Sequence, residues 1–162
     1  MVIRPAQADD ATLLGAVHVR IWRETYRGQM PDALLDGLDP VRSSEMWLRV
    51  IRQSQTDEAA GHRILVAEAE GEIVGFASSG APRDDDPVRP LQLYVLNVVA
   101  PQYGTGLGQR LLEAAIGEEP AYLWVAEANS RAKRFYEKHG FHLDNAFQDD
   151  ERLAIRELRM VR

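Results

Sequence analysis

The chain has 162 residues, 45% apolar and 27% charged, with three Trp, five Tyr and four Phe; this balance suits one folded domain over residues 1–162 rather than a disordered chain. A formal charge of -6 and a pI near 5.2 run against nucleic-acid binding, which draws most of its affinity from basic groups facing phosphates. With no cysteine, disulfides, thiolate metal sites and a catalytic thiol are all excluded.

The opening residues Met1-Val2-Ile3-Arg4-Pro5 lack the apolar core of a signal peptide, and no apolar run approaches the roughly 18–20 residues of a membrane span. A cytoplasmic protein with no membrane partner is therefore expected. After a short strand over residues 2–4, Asp9 and Asp10 offer caps for a helix with Leu14, Val17 and Ile21 on one face, ending near Gly28. Asp39-Pro40 opens a second helix that runs to about residue 53, because proline at the first turn has no N–H to waste. Residues 63–69 and 72–79 read as strands joined by the tight turn Glu70-Gly71.

A Pro- and Asp-rich loop over residues 80–90 precedes an apolar run at 91–99, which reads as a central strand covered on both faces. Leu107, Leu111, Ala115 and Ile116 form the stripe of the next helix, followed by a strand at 121–126. Asn129 opens a further helix ended by Gly140. Residues 141–147 and 153–161 close the chain as an antiparallel hairpin, which also offers a homodimer surface.

The segment Tyr103-Gly104-Thr105-Gly106-Leu107-Gly108 stands between a strand and a helix. Glycines let the backbone turn tightly, and the first helical N–H groups then face an anion such as a pyrophosphate. A Walker loop requires a lysine that this turn lacks. A dinucleotide fold wants glycine at the sixth position, where Gln109 stands, although Glu127 lies about where its ribose-binding acid belongs.

Asn129, Ala132, Phe135, Tyr136, Gly140 and Phe141 resolve the ambiguity. In order and spacing they match Asn-x-x-Ala-x-x-Phe-Tyr-x-x-x-Gly-Phe, and with the glycine turn the chain resembles the GNAT superfamily of N-acetyltransferases. The resemblance implies an α/β (α+β) fold: a mixed, mostly antiparallel sheet of about seven strands flanked by helices, with a pyrophosphate-binding glycine turn after the fourth strand. It implies acetyl-CoA as cosubstrate, no metal, and transfer of the acetyl group to the primary amine of a small acceptor.

Position by position, it implies that Leu96, Asn97 and Val98 pair through their backbone with the pantetheine arm. Tyr103, Gly104, Thr105, Gly106, Leu107, Gly108 and Gln109 would cradle the pyrophosphate, with Asn129 on the cofactor arm and Tyr136 beside the sulfur. Trp22 and Tyr26, one turn apart, fall in a segment that helps form the acceptor side; they read either as binding substrate there or as core packing. Tyr103 departs from the family pattern, which has Gln or Arg at that position.

Tyr136 is the expected acid, since a phenol near pKa 10 is close to a thiol near 8.5. The base is open: Gln92 stands where the family often has Glu and an amide cannot take the proton, while Glu127, Glu24 and Asp84-Asp85-Asp86 are further carboxylates. Asn97, unusual in so apolar a strand, reads either as serving a β-bulge or as touching substrate. Two other functions stay open: a non-catalytic acyl-CoA-binding module, motivated by Gln92 and Tyr103, and acetylation of protein or peptide N-termini.

Overall fold

The strand-like runs assemble into one sheet in the computed structural model, which describes residues 1–56 and 61–162. The strands are β1 (Val2–Pro5), β2 (Arg63–Ala69), β3 (Glu72–Gly80), β4 (Leu91–Val98), β5 (Ala121–Ala126), β6 (His142–Asp150) and β7 (Ile155–Val161). Their order is β1-β2-β3-β4-β5-β7-β6, with every neighbouring pair antiparallel except β4 and β5. The mixed seven-stranded sheet expected from the family resemblance is therefore present.

Helices α1 (Ala11–Tyr26), α3 (Pro40–Thr56), α4 (Leu107–Ile116) and α5 (Ser130–Lys138) carry the apolar stripes read from the sequence. The short helix α2 (Asp32–Asp36) was not legible as a separate element; it buries Leu35, and its single turn and a half is too brief for periodicity to register. Two cores form, one on each side of the sheet. Leu14, Ile21, Trp47 and Ile51 pack on Val66 and Phe76, whereas Leu107, Leu111, Ile116 and Tyr136 pack on Leu93, Leu123 and Met160.

β4 differs from the fully covered strand its composition predicts. Only Gln92 and Leu93 are buried, and residues 94–98 are half-buried. The cause is topological: β4 pairs with β5 only from Leu91 to Leu93, and beyond that the two parallel strands part. The outer edge of β4 is left without a strand partner, and a cleft opens along it. The bulge in β4 lies at Tyr94, between the Leu93 and Val95 pairings, while Asn97 keeps regular register with Phe76. Asn97 is thus not the bulge residue.

No described helix is long and apolar enough to cross a membrane.

Candidate active site

The cleft deepens into a cavity of about 310 Å³. Leu96, Asn97 and Val98 line it from β4, and Gln102, Tyr103, Gly104, Gly106, Gly108 and Gln109 line it from the glycine turn and the start of α4. Asn129, Arg131, Ala132, Phe135, Tyr136 and His139 contribute from α5, and Ile21 and Thr25 from α1. Two motifs some 25 residues apart in the chain therefore meet across one hollow.

The turn is built as its glycines require. Gly104 and Gly106 adopt φ of 76° and 84°, in the left-handed region that a side chain disfavours. Gly108 has another duty: a Cβ there would lie 3.3 Å from the Phe135 ring, so glycine permits α4 and α5 to close on each other. Among the described residues, the amides of Gly104, Gly106, Gly108 and Gln109 donate to no protein acceptor. Unpaired N–H groups at a helix start, together with the helix dipole, form a site for an anion.

Tyr103 carries the Arg131 guanidinium 3.9 Å above its ring, and both residues line the cavity. The motif position that lacks a Gln or Arg is thus supplied with a cation from α5, held there by attraction to the aromatic face. Nothing in the isolated pattern of the turn pointed to Arg131, because the contact joins two separate elements.

Asn129 caps α5, its Oδ1 accepting from the Ala132 N–H at 3.1 Å. Tyr136, one face along the same helix, is buried against Phe135 and Phe141. Burial, helped by the neighbouring Tyr26, pushes its hydroxyl well above the ordinary phenol range. The group is therefore protonated throughout the neutral range. Tyr26 is shifted upward too, first by burial and then by the charge of Glu157.

Several expected residues stand elsewhere. Gln92 is buried outside the cavity, with its Oε1 accepting from the Arg83 N–H at 2.8 Å and the Tyr122 hydroxyl at 3.2 Å. It ties the loop over residues 81–90 to the sheet and has no free acceptor to hold a water or an amine. Glu127 is exposed at the end of β5 and does not line the cavity. Trp22 lies edge-on between His18 (5.1 Å) and Tyr26 (5.4 Å) in an aromatic array, and the cavity takes its neighbours Ile21 and Thr25 instead. Helical spacing showed that these residues share a region, but which one turns inward was set by how α1 crosses the sheet.

Residues 60–143 match the family model for the acetyltransferase (GNAT) domain. A probable N-acetyltransferase of Mycobacterium tuberculosis is 33% identical over 145 residues, covering 88% of this chain and 80% of the relative. The chain belongs to the GNAT acetyltransferase family. Its fold is shared by the PaiA N-acetyltransferase of Thermoplasma acidophilum, solved with coenzyme A, at TM-score 0.77 and 22% identity, over 98% of this chain and 96% of that one. A ribosomal-protein-alanine N-acetyltransferase of Brucella melitensis aligns at TM-score 0.74 and 23% identity, over 100% and 99% of the two chains. As a GNAT enzyme the chain is an acyltransferase that draws its acetyl group from acetyl-CoA.

Proposed function

We propose that the chain transfers the acetyl group to a primary amine of a small molecule by direct attack, within the cleft between β4 and β5. The observation that carries this reading is the convergence on one cavity of unpaired helix-start amides, an unpartnered strand edge and a protonated tyrosine. The amides of the turn and Arg131 would take the pyrophosphate. The free edge of β4 at Leu96, Asn97 and Val98 would pair with the pantetheine arm as an added strand does.

The neutral amine nitrogen attacks the thioester carbonyl carbon, a C–N bond forms, the C–S bond breaks with its electron pair going to sulfur, and the proton that nitrogen loses passes through solvent to the thiolate. Amine and acetyl-CoA thus give an acetamide and a free thiol. A β4 amide near Asn97 or Val98 would polarise the carbonyl. Tyr136 would donate a hydrogen bond to the departing sulfur; with its hydroxyl raised above the usual value it stabilises the thiolate better than it surrenders a proton to it.

Thiol release measured against a panel of polyamines, amino acids, aminoglycosides and peptide N-termini tests the reading. Tyr136→Phe should lower kcat by about a hundredfold while CoA affinity stays within twofold. Acetyl-CoA binding without turnover of any acceptor would make the chain a non-catalytic binder, and turnover of peptides alone would move it to N-terminal acetylation.

A further inference from the structure

A second hollow, of about 280 Å³, lies between the end of α1 and the start of α5. It adjoins the first across a shared wall of Thr25, Asn129 and Arg131. Among the described residues no member of the glycine turn and none of β4 lines it. It therefore stands beside the stretch assigned to the cofactor's phosphates and strand-like arm, not within it. Apart from Ala128, every side chain on its wall has a polar end, so it suits a polar group better than a hydrocarbon one.

Gln29, just beyond α1, gives this hollow a chemical preference. Its Nε2 donates to the Thr25 carbonyl at 2.9 Å, which fixes the amide's orientation, because a carbonyl oxygen in that place would face another acceptor. The Oε1 is buried and accepts from no protein donor among the described residues. A buried acceptor without a donor carries an uncompensated desolvation cost, and a ligand that brings an N–H or O–H relieves it.

The surrounding charges select among such donors. Glu24 Oε1 accepts from Arg20 Nε at 2.9 Å, so this carboxylate on the wall already has its cation. Arg131 brings a positive charge to the same wall, with its guanidinium over the Tyr103 ring. An ammonium group entering the hollow would meet an acid already paired and a cation that repels it. A carboxylate would set its lone pairs against those of Gln29 Oε1. An uncharged hydroxyl meets neither penalty, and it can donate to Oε1 while accepting from Ser130 or Arg131. A neutral amide also does not favour the ammonium form of the amine as a carboxylate would, so the reacting nitrogen stays free to attack.

We propose that this hollow holds the side arm of the acceptor and that Gln29 Oε1 takes a hydroxyl from it, so that the preferred substrates are amino alcohols and amino sugars. The proposal rests on the N-acetyltransferase reading above, and it places Gln29 as a specificity residue remote from the chemical step.

The test uses the full chain and acetyl-CoA with straight-chain amino alcohols from ethanolamine to aminopentanol, each beside the alkylamine and the diamine of equal length. At the length that fits, the wild-type KM for the amino alcohol should lie about fivefold below that for the alkylamine, with the diamine no better than the alkylamine. Gln29→Met removes Oε1 with little change of volume, and the ratio of the two KM values should fall to about one. A merely structural role would move both KM values together and leave their ratio intact. Gln29→Glu sets a charge at the same place and should turn the preference toward the diamine, which decides the matter if Gln29→Met fails to fold. The proposal is overturned by a wild-type series with no length at which the hydroxyl lowers KM, by a wild-type preference for the diamine, or by a hydroxyl advantage that survives Gln29→Met. Loss of the underlying reading looks different: no thiol release from wild type with any amine.

Discussion

Tyr136 and His18 show how burial converts an ordinary side chain into a tuned one. For Tyr136 the motif placed it beside the sulfur and named Phe135 and Phe141, the rings it packs against, but the full burial that raises its pKa, with the added effect of Tyr26, comes from the folded core. His18 is held in the opposite direction. Its Nδ1 accepts from the Trp47 Nε1–H at 3.0 Å, and burial lowers its pKa to about 4. Because the folded pKa lies below the unfolded value near 6.5, His18 contributes stability that is present above pH 6.5 and is lost as pH falls toward 4. The whole contribution is at most ~3 kcal/mol. Denaturant midpoints measured from pH 7 to 4.5 should therefore fall more steeply in wild type than in a His18→Gln variant. Equal slopes would mean the imidazole is protonated in the folded state. Gln92 carries the contrary lesson: its alignment on β4 was legible, but its amide is consumed by Arg83 and Tyr122, two partners that only the folded loop brings near.

Helix α5 was readable from its termini, whereas strand β4 was readable only in part. Asn129 announces α5 because its side chain satisfies an amide three residues on, and Gly140 ends it with φ of 84°. Asn129→Ala should cost about 1 kcal/mol, lowering the thermal midpoint by roughly 2–4 °C for a chain of this size. If Asn129 also meets the cofactor arm, CoA affinity falls in the same variant when measured well below the melting temperature. Unchanged affinity would restrict the residue to capping. β4 was legible as a strand but not as a cleft wall, since its apolar run is the same whether a helix or a ligand covers it. The pairing that stops at Leu93 is a property of two strands and belongs to neither sequence segment alone.

At the scale of the molecule, the cavity joins α1, β4, the glycine turn and α5, which are separated along the chain but fixed by packing on both faces of one sheet. A ligand that spans them should stabilise the fold as a whole. Saturation with CoA at about a hundred times its dissociation constant should add ~2.7 kcal/mol and raise the melting midpoint by roughly 5–10 °C. Calorimetric scans with and without CoA check this, and no shift would separate the cavity from cofactor binding. By itself the sequence determined the order of the strands and the longer helices, the two motifs and the family. It could do so because caps, glycine conformations and apolar periods are interactions between residues a few positions apart. Only the tertiary structure decided the insertion of β7 between β5 and β6, the parting of β4 from β5, the Arg131–Tyr103 pair and the hollow beside Gln29. Each of these depends on contacts between distant segments, whose geometry is set by how the sheet and its two helical layers close on one another.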